Sequence, residues 1–349
     1  MSEDPNSIPS QCLLNLSLNN GWKVIEKISQ PQNNTGGYFS TGYKVEKEKQ
    51  IAFLKAFDFH RALKSSDPLR ELQNQIECFN FERDLLELCK GKHMHKVVLP
   101  IESGDVIVPG FPTLINQVFY IIFELAEGSI RTVYSIRNFD FPFIFSSLHN
   151  IAVGIQELHT HGIAHRDIKP SNALVFKDKI KISDVGRASS KDMPFKYDDW
   201  PIAGDSHYIA PEQNYINYPN STFESKLASD IYAFGSLFFF YLFQLPLSSI
   251  FANHFKKKGI YFSPNFEDDL DVWIKTFDDI LIETESILLT KMKKENVSLI
   301  IQMIHQLCYP DPKQRGHIKN VTKGIQQYSL ERFIPQLDIL SKKAKYNVL

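Results

Sequence analysis

Residues 164–175 read Ala164, His165, Arg166, Asp167, Ile168, Lys169, Pro170, Ser171, Asn172, Ala173, Leu174, Val175. The stretch falls between a segment with helical apolar spacing and a short apolar run of β type, so a loop that presents polar groups is expected. It sets a carboxylate, Asp167, two residues before an ammonium, Lys169, and five before an amide, Asn172, able to ligate a hard cation. These groups suit transfer of a phosphoryl group. A carboxylate positions the accepting hydroxyl, while cation and ammonium stabilise charge on the transferring oxygens.

The string from His165 to Asn172 resembles the catalytic loop of eukaryotic-type protein kinases. Further parts of that family's pattern follow in order from about Trp22 to about Phe333. Ala52, Phe53, Leu54, Lys55 looks like the family's Val-Ala-Ile-Lys strand element. Read from its neighbours alone, Lys55 is either an exposed edge lysine or a charge that meets an anion. Asp67 as N-cap and Pro68 at the first helical position start a helix expected to run to about Cys89, with Leu69, Leu72, Ile76 and Phe79 as one apolar stripe. Within it Glu82 resembles the glutamate that holds the strand lysine on the nucleotide phosphates, with Glu77 and Glu87 as competitors. Asp184, Val185, Gly186 stands where the family has Asp-Phe-Gly. Ala210, Pro211, Glu212 and the run Asp311 to Arg315 match its later motifs, which implies a pair between Arg315 and Glu212. Asp230 matches a residue that accepts hydrogen bonds from the loop backbone.

Upstream, Trp22–Ile28, Tyr43–Glu46 and Ile51–Phe57 are expected as strands, the last two joined by a charged turn. Thr35, Gly36, Gly37, Tyr38, Phe39, Ser40, Thr41, Gly42 is Gly-rich, so backbone N–H groups can approach phosphates; a plain turn explains the same residues. It resembles the kinase Gly-rich loop in part. Gly37 matches the middle glycine, Thr35 and Ser40 stand at the outer two, and Gly42 replaces the valine that covers adenine. A buried strand over Val118–Leu125 leads by resemblance into a hinge, with Phe123 as gatekeeper, the backbone of Glu124 to Ala126 bonding adenine, and Glu127 near the ribose. From Phe143 to His161 the positions Leu148, Ile151, Ile155 and Leu158 keep helical spacing. His149, His159 and His161 are expected as solvated or capping residues rather than metal ligands.

Two departures lie near the loop. Val185 replaces an aromatic ring, and Asp205 follows Gly204 where the family has a threonine. A carboxylate at 205 repels Asp167 unless Lys169 lies between them. Arg166 implies an anion that holds the segment from Arg187 to Ala210. Ser189, Ser190, Tyr197 and Ser206 are candidates for modification, and Asp198 or Asp199 is expected to supply part of that charge already.

The 349 residues are 43% hydrophobic and 13% aromatic, enough to bury one large core or two moderate ones. Thirty-nine basic against 40 acidic residues give a net charge of -1, so neither nucleic acid nor a membrane surface is expected as partner. The longest apolar run, Ile231 to Phe243, has 13 residues, against the roughly 20 a spanning helix needs. Glu3 and Asp4 put negative charge where a secretory leader is positive, and the four cysteines are scattered without a CxxC pair, so a cytoplasmic, reducing location is expected.

The resemblance implies an α+β, bilobal protein kinase-like fold: a small antiparallel-sheet upper lobe with one helix, and a larger, mainly helical lower lobe. The expected organisation is a tail over 1–20, a kinase domain over 21–333 (upper lobe 21–124, hinge 124–128, lower lobe 129–333) and a tail over 334–349. The implied cofactors are ATP and Mg2+, and the implied partner is a protein with a Ser or Thr acceptor. Asp167, Lys169, Lys55 and Glu82 are the implied catalytic set. Gly36, Gly37, Ser40, Ala52, Lys55, Glu124, Ala126, Glu127, Asn172 and Asp184 are implied to bind nucleotide, with Asn172 and Asp184 on the metal. Two rivals stand beside this: a pseudokinase or nucleotide-binding scaffold, and a small-molecule kinase of the same fold.

Overall fold

Alternating apolar residues build a sheet at the start of the chain. In the computed structural model, which describes residues 8–28, 40–113, 115–134, 139–177, 179–200, 202–219 and 222–349, the chain divides into two compact units, the first ending at Glu127 and the second beginning at Gly128. The first holds β1 (Lys23–Lys27), β2 (Ser40–Lys47), β3 (Gln50–Phe57), β4 (Pro100–Ile107) and β5 (Gln117–Glu124), antiparallel in the order β1-β2-β3-β5-β4. Lys47 pairs with Gln50, leaving a two-residue turn in which Glu48 and Lys49 take φ of 49° and 69°. Such left-handed pairs match the twist of the strands they join. On β3, Ala52, Leu54 and Ala56 are fully buried in a core with Tyr43, Val45 and Trp22.

β4 is not foreshadowed by its residues, because Ser103, Gly104 and Asp105 are poor strand formers. Gly104 is needed there: a Cβ would lie 2.7 Å from the Tyr120 hydroxyl on β5. Residues 8–20, within the expected N-terminal tail, contribute to the core. Leu13 and Leu18 are buried beside Trp22, Asn15 and Leu16 exchange backbone bonds with Val24, and the Tyr43 hydroxyl donates to Ser10 O at 2.8 Å.

Helix α1 (Pro68–Gly91) begins as predicted, the Asp67 carboxylate accepting from Arg70 N at 3.2 Å. Its burial differs from expectation. Leu69 is 72% exposed, and the buried positions run from Phe79 to Cys89, so only the second half of the helix meets a core.

In the second unit, β6 (Gly128–Ser129) pairs with β8 (Ala173–Phe176), which pairs with β9 (Lys179–Ile182) around a turn at Lys177; β7 (Ile163–Ala164) pairs with β10 (Ser189–Ser190). The helices are α2 (Ile130–Tyr134), α3 (Phe141–Thr160), α4 (Phe223–Phe243), α5 (Leu247–Lys258), α6 (Phe266–Leu289), α7 (Lys294–Cys308), α8 (Ile318–Lys323) and α9 (Ile334–Lys345). Helix α4 is apolar all round because it runs through the middle of this core. Gly235 lets α7 approach, since a Cβ there would lie 2.9 Å from Leu307 Cβ. Among the described residues no single helix is long and apolar enough to cross a membrane. Residues 334–349, expected as a tail, include α9, whose Leu337 and Leu340 are fully buried against the same core.

Candidate active site

Helix α3, capped by Asp140 and buried along Leu148, Ile151, Ile155 and Leu158, leads through β7 into the loop at His165. Asp230 of α4 fastens that loop. It is 1% exposed, and its carboxylate accepts from His165 N and Arg166 N, both at 2.7 Å. His159 completes the anchor, Nε2 lying 2.9 Å from Asp230 Oδ2. The expectation of a solvated or capping His159 is therefore corrected: its side chain is 5% exposed and meets the Asp230 carboxylate, a partner 71 positions away that local spacing does not reveal. Arg166 takes φ of 65°, a left-handed backbone that few non-glycine residues adopt and that the Asp230 bonds hold in place.

The loop then presents Asp167, 8% exposed. Its Oδ2 accepts from Asn172 Nδ2 at 2.9 Å and lies 2.9 Å from Lys169 Nζ. Its Oδ1 accepts from Asp205 N at 2.9 Å. Burial raises the Asp167 pKa above the ordinary carboxylate range; the Lys169 ammonium opposes the rise and the Asp184 charge adds to it. Asp205 does not collide with this group. Lys169 Nζ stands 4.0 Å from Asp205 Oδ2, and Asp205 Oδ1 accepts from His207 N at 3.0 Å. Burial pushes the Asp205 pKa up, but the bonds from His207 outweigh it and the net shift is downward. Gly204 permits the close approach: a Cβ there would lie 2.6 Å from Asp167 Oδ1 and inside contact distance of Arg166 O.

Asn172 spends its amide N–H on Asp167, bonding both Oδ2 and the backbone O at 2.9 Å, so its amide oxygen is the atom left for a cation. Asp184, at the end of β9, adopts φ of 64° ahead of the fully buried Val185. Asp184 and Asn172 offer hard oxygens, and the repulsion between Asp184 and Asp167 is one a divalent cation relieves. Magnesium keeps several waters and binds through one or two carboxylates plus phosphate oxygens, so this donor set fits it.

In the first unit, Lys55 Nζ lies 2.7 Å and 3.1 Å from the two oxygens of Glu82. Glu82, not Glu77 or Glu87, is thus the α1 carboxylate paired with the strand lysine. Lys55 stands on β3, with strands on both sides, so it is no edge lysine. Ala52 is corrected. Side chains alternate along a strand, and Ala52 shares the buried face with Leu54 and Ala56, opposite to Lys55. Phe53 takes the place on the Lys55 face that was assigned to Ala52; the period of two counted back from Lys55 identifies it. Ser40 opens β2, and Glu124 closes β5 with Ala126 and Glu127 after it. Gly36 and Gly37 lie outside the described residues.

The segment after Gly186 is tied to Arg166. Its Nη1 donates to Ser189 Oγ at 3.0 Å and Tyr197 O at 3.1 Å, and its Nη2 donates to Trp200 O. Asp198 gathers the same groups: it accepts from Ser189 Oγ at 2.5 Å and Phe195 N at 2.8 Å, and lies 4.0 Å from Arg166 Nη1 and 3.9 Å from Lys226 Nζ. Ser189 and Ser190, expected as candidates for modification, are 1% and 5% exposed and closed to an enzyme in this arrangement; Ser206 is exposed.

A carboxylate braced by an ammonium, an amide and a backbone N–H, beside a second carboxylate suited to a cation, defines a site of the phosphotransfer class. The chain belongs to the protein kinase family: residues 37–324 match the protein kinase domain. It is 36% identical over 97 residues to stress-activated protein kinase JNK of Suberites domuncula (28% of this chain, 26% of that one). It is 33% identical over 132 residues to serine/threonine-protein kinase DCLK1 of Rattus norvegicus (36% and 27%). Over 216 residues it is 26% identical to serine/threonine-protein kinase ksp1 of Schizosaccharomyces pombe (56% and 42%). The matched region thus spans between about a quarter and two fifths of each of these relatives.

Proposed function

We propose that this chain transfers the γ-phosphoryl group of MgATP to serine or threonine hydroxyls of proteins, its own included. The observation that carries the reading is the bracing of Asp167, with Lys169 and Asn172 on one oxygen and Asp205 N–H on the other. So held, Asp167 orients the accepting hydroxyl and takes its proton, and Lys169 neutralises charge on the transferring oxygens. Asn172 and Asp184 hold magnesium, which when bound offsets charge on the phosphate oxygens. Lys55, fixed by Glu82, meets the nucleotide phosphates, beside which Gly36, Gly37 and Ser40 are assigned. The backbone from Glu124 to Ala126 receives the base and Glu127 the ribose. A reducing, cytoplasmic setting belongs to the same reading, supported by four cysteines scattered along the chain without a CxxC pair.

The second reading is a nucleotide-binding scaffold without transfer, favoured by the bulk of Phe53 on the Lys55 face and by Val185. The two part in a radiolabelled ATP assay with generic protein acceptors. Asp167→Asn is expected to lower incorporation by about 10²- to 10⁴-fold, the range for removing a positioned acid or base. Equal signal from the variant and the wild type would overturn transfer and leave the scaffold.

A further inference from the structure

Phe53 and Gly42 have exchanged bulk across two neighbouring strands. The Phe53 ring lies over Gly42 of β2: a Cβ built on Gly42 would sit 2.9 Å from Phe53 Cε2 and 3.3 Å from Cζ, with Ile28 Cβ at 3.7 Å. On its other side Phe53 pairs with Phe123 of β5, ring centroids 6.5 Å apart and tilted by 33°. The half-buried ring therefore fills the space that a side chain at position 42 would occupy, and it does so on the face that presents Lys55.

We infer that Phe53 governs entry of the nucleobase, its ring narrowing the base seat so that ATP binds weakly to the wild-type protein. The inference rests on the reading above, in which Lys55 meets the nucleotide phosphates. Side chains two apart on a strand stand roughly 6.5 Å from each other, the scale of the step from phosphates to sugar and base. Ala52, the neighbour of Phe53, pairs with Glu124, where the backbone assigned to the base begins. A base entering here meets an aromatic ring already packed on Gly42 and Phe123. Displacing that ring from filled space costs binding.

Calorimetric titration of the full chain with MgATP and, separately, with adenosine tests this. Phe53→Ala is expected to bind both ligands about tenfold more tightly than the wild type. Phe53→Val, which also removes the ring but keeps a β-branched side chain suited to a strand, reads the same effect should the alanine variant fold poorly. Adenosine binding in these variants no tighter than in the wild type, or weaker because the ring had been stacking on the base, overturns the inference. Lys55→Met separates it from the reading it rests on: MgATP is expected to weaken while adenosine holds. If Lys55→Met leaves MgATP affinity unchanged, the phosphate assignment falls, and the adenosine series still decides for or against Phe53.

Discussion

At Asp167 two effects oppose each other: burial raises the carboxyl pKa and the Lys169 ammonium lowers it. On the proposed reading Asp167 acts as the base, and a base must be ionised to act, so activity is expected to climb with pH through the pKa of the folded protein. The acid limb of the kcat/KM profile is therefore expected above the ordinary carboxylate range. In Lys169→Ala, where the lowering charge is gone, the residual activity should show that limb at still higher pH. A limb that stays in place or moves down would detach Lys169 from Asp167. Gly204 is the other single atom count that matters here. Gly204→Ala pushes a methyl group against Asp167 Oδ1 and Arg166 O, and displacement of a positioned group by about 1 Å costs on the order of 10²-fold in rate. Steady-state kinetics should show that loss in kcat, with the KM for ATP nearly unchanged because the nucleotide contacts assigned to Lys55 and Glu82 are untouched.

Among the elements, the described residues between Arg187 and Ala210 include a cluster held by charge. Lys226 is buried and Arg166 nearly so, and Asp198 is the carboxylate within 4.0 Å of both. On this geometry we expect Asp198 to supply part of the negative charge that an added phosphate would otherwise bring to these cations. Phosphatase-treated protein is accordingly expected to keep most of its activity. Asp198→Asn should lose about tenfold or more, as expected when a catalytic loop loses a support, with Asp198→Glu recovering part. If the phosphate-free protein is inert and mass spectrometry finds a phosphate on Ser206 that switches it on, Asp198 is not the anchor.

Across the whole chain, Arg315 and Glu212 join residues 103 positions apart by bonds of 2.7 Å and 2.8 Å, with 0% and 2% of their side chains exposed. Breaking one side of a buried pair leaves an unpaired charge and costs about 3–5 kcal/mol. Thermal unfolding of Arg315→Leu should therefore begin roughly 10 °C lower, by the scaling for a unit of this size; an unchanged Tm would mean the pair contributes nothing net. What the sequence determined alone was whatever depends on near neighbours. The start of α1 at Asp67, the helical stripe of α3 and the spacing of Asp167, Lys169 and Asn172 are set by residues a few positions apart. The family resemblance implied the distant pairs Lys55–Glu82, Arg315–Glu212 and Asp230 with the loop backbone; only the tertiary structure decided burial and the contacts outside that pattern. Asp230 drew in His159, Leu13 and Leu337 turned expected tails into core, and the Phe53 ring found its space over Gly42. The reason is physical: the covalent chain fixes local geometry within a turn or a strand repeat, whereas which surface is covered, and which charge meets its partner, depends on elements that pack together from far along the chain.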